Sequence, residues 1–234
     1  MQKITIKKIL KKKNKLPIAC LTAYTKNIAK IADKYCDIIL VGDSLGMVLY
    51  GMKTTRDVKI ETMILHAKTV KSITKRSLVV FDMPYKTYTN KFSAYKNAKK
   101  VIKLTKCDAI KLEGGAKIAK IIEHLVKKGI PVLGHIGLLP QTSSNFRVIG
   151  KSSIERKRIL KDALAISNSG AFGIIIECVV ENLAKKITRN IPIPTIGIGA
   201  SKYCDGQILV TEDMVGLSDF FPKFVRQYAK LNKS

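Results

Sequence analysis

Asp43, Asp82, Glu113, His135 and Glu177 each follow a short apolar run. Ile38–Val41 passes through Gly42 into Asp43 and Ser44. The run 78–81 ends at Asp82, and the run 109–112 carries Lys111 and ends at Glu113. Residues 131–134 lead into His135, and residues 174–176 into Glu177. One acid at the end of a strand is an ordinary loop opening. Four carboxylates and a histidine at the same end of successive strands converge on one mouth. Asp43, Asp82 and Glu113 are hard oxygen donors, the set that suits Mg²⁺, an ion that fills its octahedron with waters and substrate oxygens. A 2-oxo acid offers two such oxygens, and chelation through them acidifies the C–H next to the keto group.

Lys111 lies two residues before Glu113, so both side chains point to one face of their strand. A buried lysine needs an anionic partner, either a substrate carboxylate or one of the acids beside it. Glu177 reads as a base, because a carboxylate among apolar walls has a raised pKa. Its alternatives are a fourth ligand or a helix cap. His135 is suited to a hydrogen bond with a substrate oxygen, against a purely structural role. Gly114-Gly115 and Ile196-Gly197-Ile198-Gly199 could each cradle an anion or simply turn the chain tightly. Neither is a dinucleotide or nucleoside-triphosphate fingerprint.

Positioning these groups requires strands that end together. The pattern predicts strands over 17–21, 37–41, 78–81, 109–112, 131–134, 174–176, 194–198 and 206–210, the last weakly marked. Helical stretches fall at 26–34, Ile60–Ile73, 93–106, 116–128, 153–169 and 181–188. Residues 44–59 and 137–150 are long irregular connections, long enough to shape a site. Eight βα units predict an α/β fold, a single (β/α)8 barrel over residues 1–234, with a doubly wound open sheet as the structural alternative. The basic N-terminal stretch 4–12 is expected to be a short helix capping the barrel floor; it lacks the Arg and Ser of a transit peptide.

The chain has 234 residues, 46% of them hydrophobic, enough for a sizeable core, and only 6% aromatic, so that core must be aliphatic. Net charge is +26, carried by 36 Lys but only 7 Arg. Nucleic-acid readers lean on Arg for bidentate and stacking contacts. Lysines spread over most helices indicate compositional drift, and no specific nucleic-acid partner is expected. No apolar run approaches the roughly 20 residues of a membrane-spanning helix. Cys20, Cys36, Cys107, Cys178 and Cys204 contain no C-x-x-C pair, which points to a reducing, cytoplasmic setting.

The motifs together carry a resemblance. Thr22-Ala23-Tyr24, Val41-Gly42-Asp43-Ser44-Leu45-Gly46-Met47-Val48, Asp82-Met83-Pro84 and Ile110-Lys111-Leu112-Glu113-Gly114-Gly115 occur in order. They are followed by Gly134-His135-Ile136-Gly137-Leu138, Pro140-Gln141, Glu177-Cys178-Val179, Ile196-Gly197-Ile198-Gly199 and Asp205-Gly206-Gln207-Ile208-Leu209-Val210. Over nearly its whole length the chain resembles the ketopantoate hydroxymethyltransferase family. The resemblance implies a barrel of the phosphoenolpyruvate/pyruvate type and Mg²⁺ held around Asp43, Asp82 and Glu113. It places 3-methyl-2-oxobutanoate against Asp43, Ser44, Asp82 and Lys111, and makes Glu177 the proton acceptor. It also implies 5,10-methylenetetrahydrofolate as one-carbon donor, 2-dehydropantoate as product and a homo-oligomer, usually a decamer. Another metal-dependent 2-oxo-acid lyase or mutase on the same barrel is the alternative, separated by folate dependence. Three departures stand out. Thr25 replaces the family's usual Asp, the 141–150 stretch is short and lacks a Gly-Gly, and the chain ends soon after 223–225. They bear on lid geometry, folate contacts and subunit packing.

Overall fold

A computed structural model of the chain describes residues 2–143, 145–219 and 221–233. Eight strands run in chain order: β1 (Ile18–Thr22), β2 (Ile38–Val41), β3 (Leu78–Asp82), β4 (Ala109–Glu113), β5 (Val132–Gly137), β6 (Gly173–Glu177), β7 (Thr195–Ile198) and β8 (Gly206–Leu209). All pair in parallel with their neighbours, and β8 returns to β1, with Ile18 opposite Gly206 and Leu21 opposite Leu209. That last pairing closes the barrel and rules out the open sheet.

The helices are α1 (Ile6–Lys12), α2 (Lys26–Tyr35), α3 (Leu45–Val48), α4 (Ile60–Ile73), α5 (Lys91–Thr105), α6 (Ala119–Lys127), α7 (Ser153–Asn168), α8 (Glu181–Asn190) and α9 (Thr211–Met214). Two connections differ from expectation. The 44–59 stretch is not featureless: it holds α3 and a 3-10 turn, Thr55–Asp57. The stretch after Gly114 opens as a 3-10 turn, Gly115–Ile118, before α6 begins.

Strand alternation sorts the barrel wall into two faces. The outward residues of β2 to β6, such as Ile39, Val79, Phe81, Ile110, Ile174 and Ile176, pack beneath the helices. The inward set, Ile18, Ile38, Leu40, Leu78, Val80, Ala109, Leu133, Ile175, Ile196 and Ile208, fills the lumen. Continuing the inward parity by two residues reaches Asp82, Lys111, Glu113, His135 and Glu177. The lumen is therefore apolar below and ionisable at the strand C-termini.

Ile4 and Ile9 join the lumen cluster from below, so the N-terminal segment seals the floor. Three aspartates hold it there. Asp37, Asp108 and Asp205 immediately precede β2, β4 and β8, and each accepts the N–H of the neighbouring strand, from Ala19, Val79 and Thr195 respectively. Each also takes a lysine from the N-terminal segment. Lys12 meets Asp37 at 2.7 Å, Lys3 meets Asp108 at 3.1 Å and Lys13 meets Asp205 at 2.8 Å.

Candidate active site

The mouth carries a connected line of buried charge. Register does the positioning: Asp82 lies opposite Lys111, Glu113 opposite His135 and Gly137 opposite Glu177. Gly137 has φ +97°, and a Cβ there would collide with the Glu177 carbonyl oxygen. Only glycine lets β5 pass this close to β6. Cys178, directly after Glu177, also stands in the left-handed region at φ 48°. Its N–H is nonetheless bound to the Ile198 carbonyl at 2.9 Å, and its carbonyl accepts from Ile149 at 2.8 Å. Two neighbouring segments thus hold a strained turn beside Glu177.

Asp43, Asp82 and Glu113 each offer a carboxylate oxygen within 4.8 Å of the others. All three are at least 95% buried. Lys111 Nζ sits between two of them, 2.9 Å from Asp82 Oδ1 and 3.0 Å from Glu113 Oε1. Of the two expected partners for Lys111, a substrate carboxylate or a neighbouring acid, the structure supplies two acids at once. Among the described residues Asp43 has no such cation. Its N–H donates to Asp82 Oδ2 at 3.2 Å, and its Oδ2 accepts from Gln141 Nε2 at 2.8 Å.

The electrostatics follow from this layout. Burial, and then the charges of Asp82 and Glu113, push the Asp43 carboxyl well above the carboxylate range. Burial also raises Asp82, against the pull of Lys111. Burial works to raise Glu113 too, but Lys111 and His135 outweigh it and hold that carboxyl at about 2. For Lys111, burial lowers the pKa, while Asp82, Glu113 and Asp43 together lift it well above the usual lysine value. Three acids face one ammonium, and burial together with their mutual repulsion disfavours ionising all three at once. A hard divalent cation would offset that repulsion and matches the all-oxygen donor set.

His135 stands between two carboxylates, Nδ1 3.3 Å from Glu113 Oε1 and Nε2 3.2 Å from Glu177 Oε2. The contacts are close enough for charge attraction but are not aligned as hydrogen bonds. Burial opposes its protonation, yet the two acids more than compensate and lift the imidazole to about 9. The expected apolar walls around Glu177 are therefore replaced on one side by this ring. The Glu177 side chain is 16% exposed and opens to the mouth. Ser44, half-buried after Asp43, exchanges a 2.8 Å hydrogen bond with Tyr24.

Three further residues of the mouth had no place in the sequence argument. Gln141, Tyr88 and Arg56 come from the irregular connections and meet over the acid trio. Tyr88 donates to Gln141 Oε1, and Arg56 Nε donates to the Gln141 carbonyl at 2.9 Å. The only signal was the Pro140-Gln141 pair itself; a polar residue in a loop carries no periodicity. The possible anion cradle at Ile196–Gly199 is filled from the C-terminal side. Gly199 has φ +56°, and a Cβ there would strike the ring of Phe224.

Among solved structures, the barrel superposes on several enzymes of the same fold. Phosphonopyruvate hydrolase, solved with oxalate and Mg²⁺, superposes with a TM-score of 0.65 at 10% identity, covering 90% of this chain and 81% of that one. A 2,3-dimethylmalate lyase, a member of the phosphoenolpyruvate mutase/isocitrate lyase superfamily, gives 0.65 at 11%, covering 89% and 78%. Likeness at that identity defines the fold. The family follows from sequence: the model of ketopantoate hydroxymethyltransferase matches residues 3–234. A 3-methyl-2-oxobutanoate hydroxymethyltransferase of Pelagibacter ubique (strain HTCC1062) is 54% identical over 230 residues, spanning 97% of this chain and 90% of that protein. One from Rhizobium etli is 49% identical over 237 residues, spanning 99% and 87%. The chain belongs to the ketopantoate hydroxymethyltransferase family.

Proposed function

We propose that this chain transfers a hydroxymethyl group from 5,10-methylenetetrahydrofolate to 3-methyl-2-oxobutanoate, giving 2-dehydropantoate. The observation that carries the reading is the split of the mouth into two sides. An acid trio lies at the ends of β2 to β4, and a partly open carboxylate, Glu177, lies on β6 beyond His135. Asp43, Asp82 and Glu113 are the residues to hold Mg²⁺. Bound there, the ion supplies Lewis acidity toward the keto and carboxylate oxygens of the substrate.

The remaining work belongs to the chain. Lys111 keeps Asp82 and Glu113 ionised and aligned. Ser44, oriented by Tyr24, and His135 are polar contacts for the substrate's oxygens. Glu177 Oε2 accepts the proton from C3, and His135, 3.2 Å away, holds that carboxylate in place by charge. Water releases the methylene of the donor as formaldehyde, its two hydrogens going to N5 and N10 of tetrahydrofolate; C3 then adds to the formaldehyde carbon, and the alkoxide so formed takes back the proton held by Glu177. The buried, unpaired cysteines fit a cytoplasmic enzyme. Among the described residues no helix is long and apolar enough to cross a membrane. We place the chain in a homo-oligomer, the decamer usual in its family.

Deuterium exchange at C3 with Mg²⁺ tests the reading. Glu177→Gln keeps size and removes basicity. It is expected to lose exchange and transfer together, by about 10²–10⁴-fold. Exchange at the wild-type rate would move the base to His135. Turnover of the 2-oxo acid that ignores the folate would reassign the chain to a lyase or mutase.

A further inference from the structure

Gln141 is 1% exposed, and all of its polar atoms are engaged. Nε2 donates to Asp43 Oδ2 at 2.8 Å and to the Met83 carbonyl at 3.0 Å. Oε1 accepts from the Tyr88 hydroxyl. The main-chain N–H donates to Glu113 Oε2 at 3.2 Å, and the carbonyl accepts from Arg56 at 2.9 Å. A carboxylate and a carbonyl face Nε2 and a hydroxyl faces Oε1, so the network fixes which way the amide points. One residue therefore reaches two of the three clustered carboxylates, from a loop that belongs to neither strand.

The pairing with Asp43 has a chemical logic. Lys111 bonds Asp82 and Glu113 but not Asp43. A second ammonium on Asp43 would orient it but also cancel the charge that attracts a cation. A neutral amide N–H orients without cancelling. Among the described residues no other side chain donates to Asp43, so Oδ1 remains the oxygen free for an ion.

We propose that Gln141 is the positioning residue of the metal site. It fixes Asp43 through Oδ2, leaves Oδ1 as the ligand oxygen, and ties Glu113 into the same frame through its main chain. Tyr88 locks the amide in the donating orientation. This rests on the Mg²⁺ reading of Asp43, Asp82 and Glu113.

Calorimetric titration of Mg²⁺ into the full chain measures it directly, alongside the Mg²⁺ dependence of turnover. Loss of an outer partner to a metal ligand typically weakens the metal about 10–100-fold. Gln141→Leu is expected to raise the Mg²⁺ Kd by that factor, with the KM for Mg²⁺ rising in parallel and activity recovering as Mg²⁺ is increased. Gln141→Glu, which replaces the donor by an acceptor, should not rescue it. Tyr88→Phe should shift the Kd in the same direction by less. A Gln141→Leu protein that melts lower but binds Mg²⁺ with the wild-type Kd would make the residue a loop anchor and overturn the proposal. If that variant does not fold, an unchanged Kd in Tyr88→Phe overturns it instead. Failure of the underlying reading looks different: wild-type protein would take up no Mg²⁺, or Asp43→Asn would bind it unchanged.

Discussion

The two ends of this barrel use the same residue types to opposite ends. At the floor, Asp37, Asp108 and Asp205 each have a lysine and a strand N–H as partners. Every acid there has at least one cation, Asp108 two lysines, and the acids fasten α1 and the residues around it to the strand starts. At the mouth, Asp82 and Glu113 share one lysine, and among the described residues Asp43 pairs with none. The difference teaches where to look for chemistry. A buried acid with its own cation and backbone donors is finished. A buried acid without one carries charge that something else must meet.

Removing one acid from each end should break the comparison most sharply. Asp43→Asn preserves shape and removes a ligand charge. If Mg²⁺ contributes several kcal/mol to the transition state, turnover should fall roughly 10²–10³-fold or more. Stability should move the other way. The Asp43 carboxyl is held above its ordinary value by burial and by its neighbouring acids, so its ionisation opposes folding. Such a group stabilises the fold only when protonated, and that contribution is lost as pH rises through its folded pKa. In EDTA at neutral pH the Asn variant should therefore melt higher than wild type, and the gap should close as pH falls. A variant that melts lower at neutral pH would show that Asp43 is as satisfied as the floor acids.

Asp205→Ala should do the reverse. It removes an acid 3% exposed that receives Lys13, the Asn14 and Thr195 N–H groups and the Thr195 hydroxyl. Breaking a buried pair costs about 3–5 kcal/mol. The loss should appear in denaturant midpoint, while the folded fraction keeps its kcat. Reduced kcat with unchanged stability would erase the distinction between the two ends.

Lys3→Ala should give the smallest effect. Lys3 is 37% exposed on its side chain, and Asp108 keeps Lys71 at 2.7 Å. An exposed, redundant pair contributes about 0–1 kcal/mol. A larger loss would mean that the floor acids depend on every partner.

Most of the architecture was legible because βα units repeat a simple pattern, short apolar run, polar end, amphipathic helix. The acids at strand ends were legible for the same reason: parity within a strand carries a lumen position forward to Asp82, Glu113 and Glu177. Chemistry assembled from loops was not. Gln141 reaches Asp43 across 98 residues of sequence and Tyr88 reaches Gln141 across 53, and nothing in their own neighbourhoods marks them. Position 141 is the anchored end of the 141–150 stretch, so the shortening read from sequence need not disturb it. Gly199, which the sequence left open between a ligand cradle and a tight turn, lies against the Phe224 ring.

The contact between Lys13 and Asp205 joins positions 192 residues apart. On the ribosome, the helix that seals the floor is made well before β8, yet this clasp must wait for that strand. Closure of β8 onto β1 waits for that same strand. Until then α1 must remain undocked at Asp205, its Ile9 without the complete lumen that will cover it. The stopper of the barrel is thus synthesised before the strands it plugs and fully seated only when the last of them arrives.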